Sequence, residues 1–395
     1  MDSNKSGRTG RFQILLHSRF VFAVYCLAAI ALTLIKLAHG PFEHSGFHYL
    51  PLQNFAIFRN SFSHLIQHQD IYAAFPAEQW DLYRYSPAFA LLIGALAPLP
   101  YALGAVIWNV FNAAVLFWAV RWVPGPDAGS RMLALWFIFL AMLNSVQNAQ
   151  SNALMAALII GAFAAREYEK PGLSAFLAVA AVFIKPFGVF ALLPCLLVPG
   201  RKKFIGYTAL WTGAFALCPL AVVHWSELQT LYVRWYASMR AFGGVHTGIS
   251  VMGFLAAWLH LTPPGAFVVA TGGIVLAAST LIGRDRTLVL ASVLIFVTIF
   301  NFAAESPTYV IAVSGVALWY FSQARTRANL ALLAATLLFA MLAGTELVPR
   351  SLRQQYLEPY VVKALPCIAV WLKLQWDLVA HRRKPAARAS AASAI

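Results

Sequence analysis

Charge is what this chain has least of: 11% of its 395 residues are Asp, Glu, Lys or Arg, where a soluble domain carries about a quarter. Acidic residues are the scarcest, 14 against 29 Lys and Arg, which leaves a formal charge of +15. In a soluble protein that surplus would suggest nucleic acid. Here the cations sit in clusters between long apolar runs, as the positive-inside rule produces, and this speaks against nucleic acid as a partner. The four cysteines, Cys26, Cys195, Cys218 and Cys367, stand singly inside apolar runs and lack metal-ligand spacing. The sequence has no phosphate-cradling glycine loop before a Lys-Ser or Lys-Thr, no His-Glu-x-x-His and no Gly-x-Ser-x-Gly. A soluble nucleotide-binding domain has nowhere to fit. No metal or cofactor is expected, and any activated donor should arrive in the membrane, on a lipid.

What fills the chain is apolar residues, 61% of the total, with a mean hydropathy of +0.70. At roughly 20 residues per crossing this allows about twelve transmembrane helices. The expected fold class is an all-α polytopic membrane protein. Residues 1–380 read as a single membrane-embedded domain, and residues 381–395 as a basic cytoplasmic tail whose Ala/Ser end is disordered. The first run, Phe20 to Leu37, is long for a signal-peptide core and has no small-x-small cleavage site, so it reads as a retained anchor.

Orientation follows from the basic residues. Lys5, Arg8 and Arg11 place the N-terminus in the cytoplasm, so the loop after the first span is outside. The run Pro87 to Leu99 is short for a span. Laid on the outer surface, it leaves Arg121 to Arg131, Arg166 to Lys170, Arg201-Lys202-Lys203, Arg284 with Arg286, Arg325 with Arg327, and the tail all inside. Both termini are then cytoplasmic, in what reads as a bacterial inner membrane.

The stretch Tyr49 to Leu99 organises the rest. Apolar residues recur at helical spacing through Phe55, Phe58, Phe62, Leu65 and Ile66, and again through Ala88, Leu91, Leu92, Leu96 and Leu99. This predicts two interfacial helices on the outer face, roofing a cavity. Outer cations such as Arg59, Arg84, Arg234, Arg240, Arg350 and Arg353 oppose the charge bias, so they mark either an anionic ligand or lipid headgroups.

Four constellations carry possible chemistry. Lys185 ends an apolar segment where Pro186 stops the helix, and an ionisable residue near membrane depth is a functional hypothesis by default. A lysine snorkelling from a helix end gives the same pattern. The turn Asn144 to Asn152 is crowded with amides and hydroxyls, which suits either reading sugar hydroxyls or a plain polar connection. A second outer loop holds Tyr232, Trp235, Tyr236 and Met239 at helical spacing, followed by a glycine hinge with His246. It reads as an acceptor platform or as an aromatic belt. Glu305 stands before Pro307 at the mouth of a span, as a reactive carboxylate or as a helix cap.

In this order the motifs resemble the lipid-linked glycosyltransferases of the C-type membrane fold, and within them glycosyltransferase family 87, the polyprenyl-phosphate-mannose-dependent alpha-1,2-mannosyltransferase-like proteins. Tyr85-Ser86-Pro87 resembles the family's Tyr-Pro-Pro helix, and Trp108-Asn109-Val110-Phe111-Asn112 follows in the next span. The turn with Gln147 and Asn152 is similar to its Gly-Gln-x-Asn turn, Ile184-Lys185-Pro186 to its Lys-Pro, and Ser306-Pro307 to its late Ser-Pro. The resemblance extends from about Asn54 to Phe321. It implies a sugar donor on a polyprenyl phosphate, an acceptor hydroxyl on a lipid or cell-envelope glycan, and an inverting transfer on the outer face. One departure matters: the family begins its first outer helix with an aspartate, the implied catalytic base, where this chain has Asn54.

The reaction needs a carboxylate to accept the hydroxyl proton, cations to hold the departing phosphate, and polar groups to hold the sugar. Lys185, Arg59 and Arg84 are the phosphate candidates. Gln147, Asn152, Asn54 and His246 are the sugar or acceptor candidates. Among the outer carboxylates, Glu43, Glu78 and Glu227 lie in polar surroundings, Asp70 suits the end of a helix, and Glu346 and Glu358 fall in a late loop. Glu305, beside Phe302, Ala303 and Ala304, is expected to be desolvated enough to serve as the base, with Asp81 second. A flippase for lipid-linked saccharide, or a scaffold that binds polyprenyl phosphate without turnover, would share these features; transfer of labelled sugar separates the enzyme from both.

Overall fold

The computed structural model describes residues 14–243, 247–283, 285–345 and 347–380. It is almost wholly helical. The exception to the all-α expectation is a hairpin after the first helix, β1 (Phe42–His44) paired antiparallel with β2 (Phe47–Tyr49). Its two-residue turn is Ser45-Gly46, both at positive φ, the geometry that suits the strands' twist.

The first half of the chain builds the frame. Helix α1 (Ser18–Ala38) is followed by the hairpin, α2 (Gln53–Ile66) and the short α3 (Pro87–Ile93), then by α4 (Tyr101–Trp122) and α5 (Ala128–Gln147). Helix α6 (Asn152–Glu167) runs through the centre and is buried from Asn152 to Arg166. Helix α7 (Pro171–Ile184) returns to the end of the molecule where α6 began.

In the second half come α8 (Arg201–Leu217), α9 (Trp225–Gly243), α10 (Val251–Leu259) and α11 (Gly265–Ile282). The tightest pair is α12 (Arg286–Ile299) with α13 (Tyr309–Phe321), buried on all sides from Leu288 to Ile299 and from Tyr309 to Tyr320. Gly315 permits this approach, because a Cβ there would stand 2.7 Å from the carbonyl oxygen of Ala291, as small residues do between membrane helices. Helix α14 (Arg327–Ala335) runs on as a π-helix to Leu342, and α15 (Leu365–Ala380) closes the described chain.

Among the described residues, five helical segments are long and apolar enough to cross a membrane: Ser18–Ala38, Tyr101–Trp122, Ala128–Gln147, Arg201–Ala221 and Gly265–Ile282. The other apolar helices of the expected twelve are shorter, 10–17 residues each. Helices α7, α12 and α13 have 14, 14 and 13 residues, roughly 20 Å at 1.5 Å per residue, against ~30 Å of hydrocarbon. Between Leu288 and Ile299 and between Tyr309 and Tyr320 the helices α12 and α13 face protein rather than lipid.

The outer cations also differ from expectation, because several already face protein carboxylates. Arg84 pairs with Asp81, Arg234 with Asp70, and Arg353 with Glu358 at 3.4 Å. Arg166, counted as part of a basic connection, is buried and donates to the carbonyls of Cys195 (3.2 Å), Val198 (3.0 Å) and Pro199. It fixes the turn before α8.

Candidate active site

Two proline breaks set the geometry. Lys185 precedes Pro186 and takes an extended conformation (φ −139°, ψ 128°), as a residue before proline must when the helix cannot continue. The chain then folds back through a 3-10 turn, Pro186–Ala191. Gly188 sits so close to α7 that a Cβ would stand 2.4 Å from the backbone of Ala181. The second break is Tyr85-Ser86-Pro87. Ser86 caps α3 by accepting from the backbone N–H of Phe89 (3.1 Å), with Pro87 in the first turn. The same hydroxyl donates to the carbonyl of Phe183 in the last turn of α7. One side chain thus brings both breaks together, and the Lys185 ammonium lies 5.6 Å from the centre of the Tyr85 ring.

The amide-rich turn is held from below by α4. Trp108 Nε1 donates to the carbonyl of Ala149 (2.9 Å), Asn109 Nδ2 to that of Val146 (3.1 Å), and Asn112 Oδ1 accepts from the N–H of Leu154 (3.1 Å). This ends α5 at Gln147 and turns the chain at Ala149, whose φ is +48°. As a result Gln150 and Asn152 face inward.

These parts meet in a cavity of about 320 Å³. Lys185 Nζ donates to Asn152 Oδ1 (2.7 Å), Asn152 Nδ2 to Gln150 Oε1 (2.9 Å), and Gln150 Nε2 to Glu305 Oε2 (3.1 Å). The charged ends fix both amides: each carbonyl must face the ammonium and each NH₂ the carboxylate. A cation and an anion are thereby coupled through two polarised amides. Burial pulls the Lys185 ammonium down to about 8, and the Glu305 charge opposes that fall.

Glu305 itself is exposed at the cavity mouth rather than shut in by Phe302, Ala303 and Ala304. Phe302 and Ala303 line the cavity beside it without covering it, while Ala304 pairs with Ile249, its carbonyl accepting the Ile249 N–H at 2.8 Å. Gly248 allows this: a Cβ there would stand 2.4 Å from the Phe302 oxygen.

Asn54, Asp81 and Arg84 line the same cavity. The Asn54 amide donates to the Asn148 carbonyl (2.8 Å). Asp81 is occupied, since its two oxygens accept from Arg84 Nη1 and Nη2 (2.7 and 2.8 Å) and one also from the N–H of Leu82 (2.8 Å). The opposite wall is apolar, built by Phe187, Phe190, Phe296 and Phe300. Met239 of α9 overhangs it, and Trp235 of the same helix donates to the Arg84 carbonyl at 3.3 Å.

Other candidates lie elsewhere. Gln147 is exposed and outside the cavity. Arg59 reaches away from it, donating through Nε to the Ala97 carbonyl (3.1 Å) above the Tyr101 ring. His246 and Glu346 lie outside the described residues. Gln150 is the site residue that sequence reasoning passed over; its signal was its position just before the Asn152 that starts α6.

A helical bundle with membrane-length helices, and a cavity in which a lysine, a carboxylate and amides face an apolar wall, defines the class: an integral membrane protein. The sequence model of glycosyltransferase family 87 matches residues 83–307, more than half of the chain, including Arg84, Gln150, Lys185 and Glu305 of this cavity. The chain belongs to glycosyltransferase family 87. No curated protein matches it.

Proposed function

We propose that the protein transfers a sugar from a polyprenyl-phosphate carrier to an acceptor hydroxyl at the outer face of a bacterial cytoplasmic membrane. The observation that carries this reading is the Lys185–Asn152–Gln150–Glu305 chain, of which Lys185, Gln150 and Glu305 line one cavity with an apolar wall and Asn152 is buried behind it. Lys185 holds the donor phosphate and stabilises its charge as the sugar departs. Gln150 and Asn54, which line the cavity, hold sugar or acceptor hydroxyls, and the buried Asn152 positions Lys185 and Gln150. Glu305 accepts the acceptor proton; its carboxylate takes the Gln150 amide and the capping-box contact to Thr308 but has no cation on it among the described residues, whereas the Asp81 carboxylate is engaged on both oxygens by Arg84. The acceptor is a lipid or a glycan of the cell envelope.

A second reading is favoured by one residue. At Asn54 the family's aspartate is replaced by an amide that cannot take a proton, which suits a protein that binds polyprenyl phosphate without turnover. Purified protein supplied with radiolabelled polyprenyl-phosphate mannose and a cell-envelope lipid extract separates the two. Label appearing in the acceptor supports transfer. Saturable binding of the carrier with no label transferred replaces the enzyme with the scaffold, and label crossing the bilayer unchanged in proteoliposomes would mean a flippase. Orientation is tested by Ser130→Cys, which an impermeant thiol reagent should leave unlabelled in intact cells while labelling Asp70→Cys.

A further inference from the structure

A second cavity, about 950 Å³, lies between α3, α4, α6, α7 and α8. It is separated from the first by a wall of interlocked rings: Phe58 stands edge-on to Tyr85 (4.9 Å), Phe89 (5.3 Å) and Trp108 (5.5 Å). Along α4 it extends from Ile107 to Trp122, roughly 22 Å at 1.5 Å per residue. That is one leaflet's share of the ~30 Å hydrocarbon layer together with its interface. Its floor is made of small residues, Ala119, Ala157, Gly161 and Ala180, and its outer lip of exposed Phe111 and Trp118. It is therefore a groove open sideways to lipid.

Only one end is charged. Arg121 lines the groove at the end remote from Lys185, its guanidinium 5.1 Å from the Trp118 ring centre. Beside it Lys170 lies 5.6 Å over the Trp122 ring, which Tyr168 covers from another side. Among the described residues neither Arg121 nor Lys170 pairs with a carboxylate. Two cations between interfacial tryptophans, at the foot of an apolar slot, match a phosphate carried on an acyl chain.

We propose that this groove binds an anionic phospholipid of the leaflet opposite the active site, with its phosphate at Arg121 and one acyl chain lying over Ala157 and Gly161. The donor's polyprenyl chain is not the occupant. This rests on the proposed function, in which the donor phosphate lies at Lys185 beyond the aromatic wall, beside the first cavity's own apolar wall.

The test is native mass spectrometry of the full-length protein in detergent, titrated with phosphatidylglycerol or phosphatidylcholine. Phosphatidylglycerol should bind at one site and more tightly than phosphatidylcholine. Arg121→Gln should weaken it about fivefold, the attraction of one cation near a membrane surface. Ala157→Phe, which fills the slot without touching charge, should lower retention of both lipids, and Lys185→Ala should leave phosphatidylglycerol binding unchanged. Circular dichroism confirms that each variant is folded. Equal affinity for the two lipids, unchanged binding in Arg121→Gln, or one-for-one displacement of phosphatidylglycerol by polyprenyl phosphate would overturn the proposal.

Discussion

Replacing Lys185 by alanine removes the one ammonium in the cavity and leaves Asn152 Oδ1 without its donor. A cation whose attraction grows as the leaving phosphate gains charge lowers the barrier rather than merely improving binding. Its loss should cost about 2 to 4 kcal/mol in transfer, the scale of one lost oxyanion donor, or roughly 30- to 1000-fold in kcat. Acidity gives a sharper signature. The ammonium is pulled down to about 8 by burial, so it is charged below that pH and neutral above it. With donor limiting, kcat/KM reports the free enzyme and should fall about tenfold per pH unit above about 8. The bound donor is a phosphodiester monoanion that favours the charged form, so the limb in kcat should lie at higher pH. Lys185→Arg keeps its charge throughout this range; it should be slower, because the planar fork fits the site differently, but should lack the alkaline limb. The assay is sugar release from polyprenyl-phosphate mannose between pH 6 and 10. An alkaline limb shared by wild type and Lys185→Arg, or normal turnover in a folded Lys185→Ala, would refute the assignment.

Glu305→Gln should reduce turnover by about 10² or more, as loss of a general base does, while retaining carrier binding, and Asp81→Asn should be milder because its main partner is Arg84. Removing the Glu305 charge also takes away what supports the Lys185 ammonium, so carrier binding by Glu305→Gln should be lost at lower pH than in the wild type; identical profiles in a binding titration would break that link. Gln150→Ala should impair transfer about tenfold or more, since it cuts the amide chain of charge-linked hydrogen bonds, while exposed Gln147→Ala should leave rates unchanged, and the reverse result would restore the sequence-based choice. Gly188→Ala should cost about 1 to 3 kcal/mol, the usual range for forced overpacking, because the new Cβ meets the Ala181 backbone; an unaltered melting temperature would contradict the close packing.

Much of the site was legible because helix breaks are written in local chemistry. Pro186 had to end α7 at Lys185, and Ser86-Pro87 had to begin α3, whatever surrounds them. The helix Trp225–Gly243 was likewise visible in the spacing of its aromatics. Which amide of a polar turn faces inward was not legible. It depends on Ala149 at positive φ and on three side chains of α4 that lie far away in sequence. Arg59 and Arg84 looked equivalent, both outer and both near aromatics, yet a long side chain can swing to either side, and a backbone carbonyl claims Arg59. Five of the expected spans have helices of membrane length among the described residues; the others correspond to shorter apolar helices, because a short apolar helix has the same composition as a longer one. The hairpin, by contrast, had a signal in Ser45-Gly46 between alternating residues.

The hydroxyl of Ser86 joins α3 to α7 two residues before Lys185. Of α3, Pro87, Ala88, Phe89, Ala90 and Ile93 are buried, so its tilt is fixed by packing against its protein neighbours. Through the Ser86 hydroxyl the last turn of α7 is tied to that packed element, and the stop at Lys185 is anchored from outside its own helix as well as by Pro186.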